Sequence, residues 1–470
     1  MNIHDYVFLQ KNKLKQILRD LVAIPSVMGE SSPEAPFGEE PKNALLKMQS
    51  CAEEMGFTVT NYENAVLCVD YLPNPDAEIE LGILAHLDVV PAEGDGWETN
   101  PFELTEKDGV LYGRGVIDDK GPAVAALMAL KCIMALGIPL KKGVRLIFGT
   151  NEENGSEDLE IYERYAKFPP KVFTPDGQFP VINVEKGMMR SRFYTSFGKL
   201  ETYEDTHGSN IVEFSGGNAP NAVPDKAEAV LNLLPLEAVK EQIAADKSGA
   251  VFEAVPDGEN VRITCRGKAA HASAPETGIN AVTALIALIN RLELGNQVQG
   301  GILYALERFF PHGETDGGAL GLKCADESGE ATAVLSVFKM RDGKCAGYID
   351  VRFPTCTNLN EVEEKTRYSF ERRANLNLEL LIGNDPHVVS PDSEFVKKLL
   401  AVYEKVEGEP GSCLAIGGGT YVHNIDGGVA FGAERVGTDY HMHGDNEFVP
   451  LVELLKDAEL FACAIAEICG

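Results

Sequence analysis

The sequence has no uninterrupted run of about 18 apolar residues, the length that a helix needs to cross a bilayer. Its first residues, MNIHDYVFLQKNKLKQ, contain no apolar stretch of the kind found in secretory signals. The ten cysteines are scattered and include no CxxC pair. This pattern is typical of reduced, mostly buried thiols in a cytosolic protein. The sequence therefore predicts no membrane span and a cytoplasmic location.

Basic residues are also scarce. There are 42 Lys and Arg against 72 Asp and Glu, which gives a formal net charge of −30. A surplus of negative charge repels nucleic-acid phosphates and anionic lipid surfaces. We therefore expect neither nucleic acid nor a membrane as a partner. A chain of 470 residues is too long for a single core, so two or three domains are expected.

The chain is organised around residues 81–121. The run LGILAHLDVV predicts a buried strand over 81–85 that ends at His86 and Asp88. Side chains two apart on a strand share a face, so these two lie together. A histidine beside a carboxylate is the pairing of a metal ligand and its orienting partner. Further on, LYGRGVIDDKGP places Asp118 and Asp119 directly before a helical pattern over 123–136.

Strands and helices alternate through the first part of the chain. A second apolar strand, predicted over 144–148, leads to Glu152 and Glu153. This order predicts an α/β domain whose mostly parallel sheet is flanked by helices, with sites at the carboxyl ends of its strands. Residues 187–383 show an α+β pattern, and 384–470 return to the first layer. The expected domains are therefore a discontinuous 1–186 and 384–470, and an inserted 187–383.

Histidines and carboxylates at strand ends and loops form a candidate metal-ligand set. Two histidines and three carboxylates suit zinc, with cobalt or manganese as substitutes. Singly, each residue has an ordinary alternative, since Asp118 and Asp119 could only complement a helix dipole and Glu152 and Glu153 could be an exposed pair. The full set is His86, Asp118, Glu152 or Glu153, Asp176 and His443.

Several motifs, taken together, resemble the M20 family of metallopeptidases, and within it the long bacterial dipeptidases called dipeptidase V or Xaa-His dipeptidase, which include carnosine-splitting members. The resemblance covers most of the chain. The motifs are AHLDVVPAEGDGW, LYGRGVIDDKGP, GTNEENGSED, TPDGQFPVINVEKG, GKAAHASAPETGINA, GGGTYVHNIDGGVAFG and MHGDNEFVP.

The resemblance implies a centre of two zinc ions. His86 and Asp176 would bind one ion, Glu153 and His443 the other, and Asp118 would bridge them. The ligand in the last motif would be His443, which directly precedes GDNE. His441 lies two residues earlier and would not be a ligand. Asp88 would orient His86 through its second ring nitrogen, and the Asp118–Asp119 peptide bond would be cis. Glu152 would be the general base that activates a metal-bridging water.

The resemblance also implies groups that touch the substrate. His271 would stabilise the oxyanion, Arg352 would bind the carboxylate of the substrate, and Asn221 would help to bind the substrate. Gly418 would offer a backbone N–H from the run GGGT, and Asp119 is a candidate for holding the substrate amine. The alternatives are a surface histidine in a turn, a solvent-facing strand arginine and a merely flexible glycine loop.

The resemblance implies a dipeptidase for unmodified L-dipeptides, including β-alanyl ones such as carnosine. Residues 187–383 would be a lid that lets a monomer close its own site. Val422 and His423 depart from the family, which often carries a basic residue there, so the substrate preference stays open. Two alternatives remain: an N-acyl-amino-acid amidohydrolase (deacylase or desuccinylase) on the same scaffold, and a non-catalytic peptide-binding protein.

Overall fold

The computed structural model describes residues 1–92, 96–197, 209–292 and 294–470. Two compact units make up the chain. The first comprises Met1–Val184, Val388–Leu414 and Gly419–Gly470, and the second comprises Glu185–His387 and Ala415–Gly418. No helix in the described part of the chain is long and apolar enough to cross a membrane. All ten cysteines are free thiols, and most of them are buried, as expected from their spacing.

The helices are α1 (Ile3–Leu9), α2 (Lys11–Val22), α3 (Glu39–Glu54), α4 (Lys120–Leu136), α5 (Glu157–Tyr165), α6 (Leu236–Ala244), α7 (Ala281–Asn290), α8 (Gln297–Phe309), α9 (Leu359–Arg367), α10 (Glu394–Glu407) and α11 (Leu451–Cys469). The strands are β1 (Thr58–Tyr62), β2 (Val66–Tyr71), β3 (Ile79–His86), β4 (Thr105–Lys107), β5 (Val110–Tyr112), β6 (Gly143–Gly149), β7 (Lys171–Thr174), β8 (Val181–Glu185), β9 (Gly187–Ser196), β10 (Asn210–Gly216), β11 (Ala222–Val223), β12 (Lys226–Asn232), β13 (Val251–Asp257), β14 (Asn260–Arg266), β15 (Ala270–His271), β16 (Ala325–Asp326), β17 (Gly329–Glu330), β18 (Thr332–Arg341), β19 (Lys344–Phe353), β20 (Asn377–Asn384), β21 (His387–Val388), β22 (Cys413–Ile416), β23 (Val429–Ala430) and β24 (Phe448–Pro450).

The sheet of the first unit runs in the order β1-β2-β6-β3-β7-β23-β8. Its centre is parallel, because β3 pairs in parallel with β6 and β7, and β7 does so with β23. The flanks are antiparallel, through β1-β2-β6 on one side and β23-β8 on the other. The α/β class is therefore confirmed, and the sheet is mixed, with its parallel strands in the middle.

Side chains of the central strands alternate between two apolar cores. Leu67 and Val69 of β2 pack into the core that contains α2, α3, α4, α10 and α11. Val66 and Cys68 of the same strand pack into the core that contains α5. This alternation follows from the two-residue period of a strand. Because both faces are covered by helices, the central strands read as continuous apolar runs.

Helix α4 is buried along most of its length, which explains its lack of a polar face. Helix α4 begins directly after Asp119, so the packing of the helix fixes the position of the Asp118–Asp119 pair. Gly121 is required in its first turn, because a Cβ there would overlap the carbonyl oxygen of Val116. The loop before the helix is therefore pressed tightly against the helix itself.

The second unit contains an antiparallel sheet in the order β13-β14-β12-β10-β18-β19-β9-β20. One core lies between this sheet and helices α7, α8 and α9. A short ribbon forms separately, where Ala222 of β11 pairs with His271 of β15. This α+β organisation agrees with the pattern of residues 187–383.

Candidate metal centre

The predicted ligands lie where strands of the first unit end. His86 is the last residue of β3, Asp176 follows β7, and Glu153 follows β6. Asp118 precedes α4, and His443 lies in the segment before β24. Because the carboxyl ends of parallel strands meet at one edge of a sheet, three of these side chains are delivered to the same place.

Two groups of possible metal ligands share Asp118. In the first, Nε2 of His86 lies 3.0 Å from Oδ1 of Asp118 and 3.7 Å from Oδ2 of Asp176. In the second, Nε2 of His443 lies 2.9 Å from Oδ2 of Asp118 and 3.1 Å from Oε2 of Glu153. Asp118 thus presents one oxygen to each group, an arrangement that would allow one carboxylate to serve two cations. The Asp118–Asp119 peptide bond is cis, as expected.

Atoms of these groups fit divalent cations. Nε2 of His86 and Oε1 of Glu153 are buried, and neither makes a hydrogen bond of acceptable geometry to a described residue. Buried polar atoms are rarely left without a partner, and a metal ion is one way to satisfy them. A donor set of imidazole nitrogens and carboxylate oxygens suits zinc and its neighbours in the first transition row.

The carboxylates of the centre are crowded. Burial, followed by the negative charge of Asp118, raises the pKa of Asp176 to about 7. The same two causes, in the same order, raise the pKa of Glu153, and a hydrogen bond from His443 opposes the rise. Burial also disfavours ionisation of Asp118, but the close contacts of its carboxylate with the rings of His443 and His86 hold its pKa well below its usual range. Such an assembly of acids needs positive charge to hold it together.

Asp88 supports the centre in two ways. Nδ1 of the His86 ring lies 3.0 Å from the backbone oxygen of Asp88 and 3.5 Å from its Oδ1. The carboxylate of Asp88 also accepts the backbone N–H groups of Glu152 at 3.2 Å and Glu153 at 3.1 Å. The ring contact was expected from the sequence. The anchoring of the Glu152–Glu153 turn was not, because it joins residues 64 positions apart.

Asp119 contacts the end of β3 and does not face solvent. Its side chain is fully buried, and Oδ2 accepts the backbone N–H of His86 at 3.1 Å. We assigned it from the sequence as a candidate for holding the substrate amine. Its observed position favours a different role, because a wholly buried carboxylate that fastens the end of β3 is out of reach of a substrate.

Glu447 was not singled out from the sequence, although its motif was. Its carboxylate is fully buried and accepts hydrogen bonds from the backbone of Gly115 at 3.0 Å and of Ile117 at 3.0 Å. It also receives the Asp118 backbone N–H at 3.3 Å and Nη1 of Arg114 at 2.6 Å. Glu447 therefore fixes the loop that carries Asp118, the residue common to both candidate ligand groups. The signal was the acidic residue in GDNEFVP, which resembles a solvated turn when read alone.

We expect Glu447→Gln to destabilise the protein by about 3 kcal/mol, because the charge of Arg114 stays buried without its partner. We also expect a lower metal content after dialysis, since Asp118 loses its fixed position. Thermal unfolding and elemental analysis by mass spectrometry measure the two effects. Exposed Glu34→Gln is the matched control. A variant with reduced stability and undiminished metal affinity would show that Glu447 has no positioning role.

Tyr421 and Asp158 hold the turn before Glu152. The Tyr421 hydroxyl donates to Oδ2 of Asp158 at 2.5 Å, and the same oxygen accepts the backbone N–H groups of Thr150 and Asn151. The Tyr421 and His86 rings are nearly perpendicular, with centroids 6.0 Å apart. Gly149 makes this packing possible, because a Cβ there would overlap the Tyr421 hydroxyl.

Removal of this hydroxyl in Tyr421→Phe should cost about 1–3 kcal/mol of unfolding free energy, because it takes one donor from a buried carboxylate. Chemical denaturation of the metal-loaded protein measures the loss. Tyr304→Phe, at a tyrosine that is 59% exposed, should change stability very little. Equal stability of the two variants would contradict this account.

The remaining predicted site residues belong to the second unit. His271 is exposed, with Nδ1 2.7 Å from Oγ of Ser273, and the backbone oxygen of Asn221 accepts the Ala272 N–H at 2.9 Å. The β11-β15 ribbon therefore brings His271 and Asn221 side by side. A Cβ added at Gly418 would meet open space. Their roles toward a substrate stay predictions.

Arg352 does not face solvent, so that alternative reading of it is wrong. Its side chain is buried, and Nε lies 2.6 Å from Oδ1 of Asp350. Nη1 donates to the backbone oxygen of Gly417 at 3.2 Å. Arg352 and Asp350 lie two residues apart on the same face of β19, and the Asp350 carboxylate also pairs with Arg190, whose Nη2 lies 2.9 Å from Oδ2. Binding of a substrate carboxylate by Arg352 stays a prediction.

Comparison with known proteins places this geometry in context. The profile of peptidase family M20/M25/M40 matches residues 82–467. YtjP of Bacillus subtilis (strain 168) is 32% identical over 477 residues, covering 100% of both chains. The Beta-Ala-Xaa dipeptidase of Lactobacillus delbrueckii subsp. lactis is 32% identical over 478 residues, covering 100% of this chain and 98% of that protein.

The fold is also similar to that of a known dipeptidase structure. The crystal structure of human carnosine dipeptidase 1 superposes with a TM-score of 0.60 at 17% identity, covering 99% of this chain and 98% of the other. The family match confirms the resemblance found in the sequence, and it spans all the side chains of the two ligand groups. The chain belongs to peptidase family M20/M25/M40: it is an enzyme that hydrolyses peptide bonds, in a family that binds divalent metal ions.

Proposed function

We propose that the protein is a dipeptidase that uses two zinc ions, with cobalt or manganese as substitutes, to hydrolyse unmodified L-dipeptides. The observation that carries the proposal is the position of Asp118, which offers one carboxylate oxygen to each of two ligand groups. The relative named Beta-Ala-Xaa dipeptidase supports the inclusion of β-alanyl dipeptides such as carnosine.

His86, Asp118 and Asp176 would hold one ion, and Asp118, Glu153 and His443 the other. Two divalent cations held in this way polarise a carbonyl group and lower the pKa of water. Asp88 keeps His86 and the Glu152–Glu153 turn in place through the hydrogen bonds described above. Asp119 and Glu447 act as supports of the same centre.

Glu152 is the general base in this proposal. Hydrogen bonds to Asp88 fix the backbone of Glu152 and of its neighbour Glu153. The Glu152 side chain therefore starts from a fixed backbone position next to a proposed metal ligand. Burial, followed by the charge of Asp176, raises the pKa of Glu152 well above its ordinary value, which makes the carboxylate a better base. It takes a proton from the attacking water and transfers it to the nitrogen of the leaving amine.

The second unit supplies the remaining contacts in this proposal. His271 would stabilise the oxyanion, and Asn221 and Gly418 would contact the substrate. Arg352 would bind the substrate carboxylate, although its guanidinium already pairs with Asp350. We further propose a monomeric, cytoplasmic enzyme in which residues 187–383 form a lid. Ten free thiols suit a reducing compartment. Static light scattering that finds an obligate dimer would contradict the monomer.

A substrate panel tests the proposal. The purified protein, supplemented with zinc, is incubated with carnosine, Leu-Leu and N-acetyl-leucine, and released amino acids are quantified. We expect hydrolysis of one or both dipeptides and none of N-acetyl-leucine, together with two equivalents of metal by mass spectrometry. Cleavage of the acetylated amino acid alone would identify an acyl-amino-acid amidohydrolase instead. No cleavage of any compound would remove the catalytic proposal.

A further inference from the structure

A dipeptide with a free N-terminus brings an ammonium group to a site that holds divalent cations. The carboxylates of Asp118, Glu153 and Asp176, with that of Glu152, carry four negative charges, and two divalent cations carry four positive ones. The centre then has no net charge to offer the ammonium, and the nearby cations repel it. A further carboxylate that does not bind the metals is needed for this substrate class.

Most other carboxylates near the centre are already committed. Asp88 accepts the N–H groups of the Glu152–Glu153 turn, Asp119 accepts that of His86, and Glu447 accepts those of the loop before Asp118. All three are fully buried, with 0% of their surface exposed. A substrate group cannot reach them without unfolding their surroundings.

Glu434 differs from them in both respects. It is partly exposed, and its backbone is fastened to the turn that carries Asp176. Its N–H donates to the oxygen of Gly177 at 2.8 Å, and its oxygen accepts the N–H of Phe179 at 2.9 Å. The residue thus sits beside a metal ligand, on the strand-to-loop connection that follows β23.

The Glu434 carboxyl group lies within electrostatic range of the centre. Burial raises its pKa to about 7, and the charge of Asp118 adds to the rise, while the side chain of Gln178 opposes it by hydrogen bonding. Glu434 in turn contributes to the raised pKa of Asp176. Among the residues that the structure describes, no Lys, Arg or His balances this carboxyl group. It is an acid without a cation at the edge of the metal centre.

We propose that Glu434 binds the free ammonium group of the substrate and thereby selects dipeptides over N-acyl amino acids. The inference rests on the proposed dipeptidase function and extends it to the residue that sets the substrate class. An ammonium is the complement that this carboxylate lacks. An acyl group in the same place would leave the carboxylate desolvated with the neutral Gln178 side chain and no cation beside it, which disfavours binding.

The test compares two compounds that differ only in the amine. Ala-Ala carries it, and propionyl-alanine has hydrogen in its place. In the wild type we expect clear preference for Ala-Ala in kcat/KM. Glu434→Gln should reduce that preference about 10- to 100-fold, mainly by raising KM for Ala-Ala, because a charge-assisted hydrogen bond is lost. Glu409→Gln, at an exposed glutamate of the same unit, should leave both values unchanged.

Glu434→Asp provides the conservative variant. Its carboxylate is one methylene shorter, whereas the amine of β-Ala-Ala extends one methylene further than that of Ala-Ala. We expect the aspartate variant to keep more of the preference than the glutamine variant, and to shift it toward β-Ala-Ala. Calorimetry in the Glu152→Ala background measures Ala-Ala binding without turnover, and Glu434→Gln should weaken that binding by a similar factor.

The outcomes separate the two levels of the proposal. If the wild type cleaves Ala-Ala and Glu434→Gln leaves its preference and binding unchanged, the role of Glu434 is refuted and the dipeptidase function stands. If the wild type shows no preference between the two compounds, selection by the amine is also refuted. If it cleaves no dipeptide, the proposed function fails first. Circular dichroism of each variant verifies that it is folded.

Discussion

Replacement of Glu152 by alanine is expected to lower kcat for dipeptide hydrolysis by about 10²–10⁴-fold, the usual contribution of a general base. Metal binding should persist, because the ligand atoms belong to other side chains and the backbone N–H of residue 152 still donates to Asp88. Steady-state kinetics and elemental analysis of the same preparation measure the two properties. The expected result is an inactive protein that retains its metal.

The matched control is Glu160→Ala, which changes an exposed glutamate of α5 in the same segment. Its kcat should equal that of the wild type. Full activity in Glu152→Ala would eliminate the proposed base and leave the proposed metal ligands untouched. Loss of activity together with loss of metal would instead indicate that residue 152 is a ligand, so the two measurements must be made together.

Asp118→Asn should have an equally large effect by a different route. Each carboxylate oxygen of Asp118 faces one ligand group, and an amide offers only one oxygen for the two positions. We expect loss of both metal ions and of nearly all activity. We also expect the loss of metal-linked stability: added zinc at 100 times its Kd should stabilise the wild type by about 2.7 kcal/mol and the variant far less.

Asp108→Asn is a suitable control for Asp118→Asn. Asp108 occupies the turn between β4 and β5 with φ of 52°, a conformation that asparagine also adopts readily. Zinc should raise the unfolding temperature of this control as it does that of the wild type. A zinc-dependent rise of the same size in Asp118→Asn would show that the residue is not a shared ligand.

Much of the first unit could be predicted from local sequence. The buried strands β3 and β6 are short apolar runs, and the buried helix α4 is a longer one. All three have clear boundaries in the sequence. Pairing direction was harder to predict, because an apolar run indicates burial and says nothing about the orientation of its neighbour. The antiparallel flanks formed by β1 and β8 therefore needed the structure.

The residues that hold the candidate metal ligands in place could not be predicted from the sequence, for a different reason. The hydrogen bond between Glu447 and the Asp118 backbone joins residues 329 positions apart. No local pattern distinguishes a buried acid with such a partner from a solvated one. The burial of Arg352 was equally hard to predict. Its strand has the pattern of a half-exposed strand, and only the structure shows the contact between Arg352 and Asp350. The ligand residues themselves were placed by motif resemblance, and the structure brings them together in two groups.

The long-range closure by Glu447 has a consequence for biosynthesis. His443 completes the second candidate ligand group, and Glu447 fastens the loop that carries Asp118, yet both follow all the strands of the first unit's large sheet in the chain. An emerging chain can fold much of its sheet while its centre still lacks these two groups. Peptide-cleaving capacity should therefore arise only after residue 447 has been synthesised, and a chain that stops before residue 443 should accumulate as an inert product.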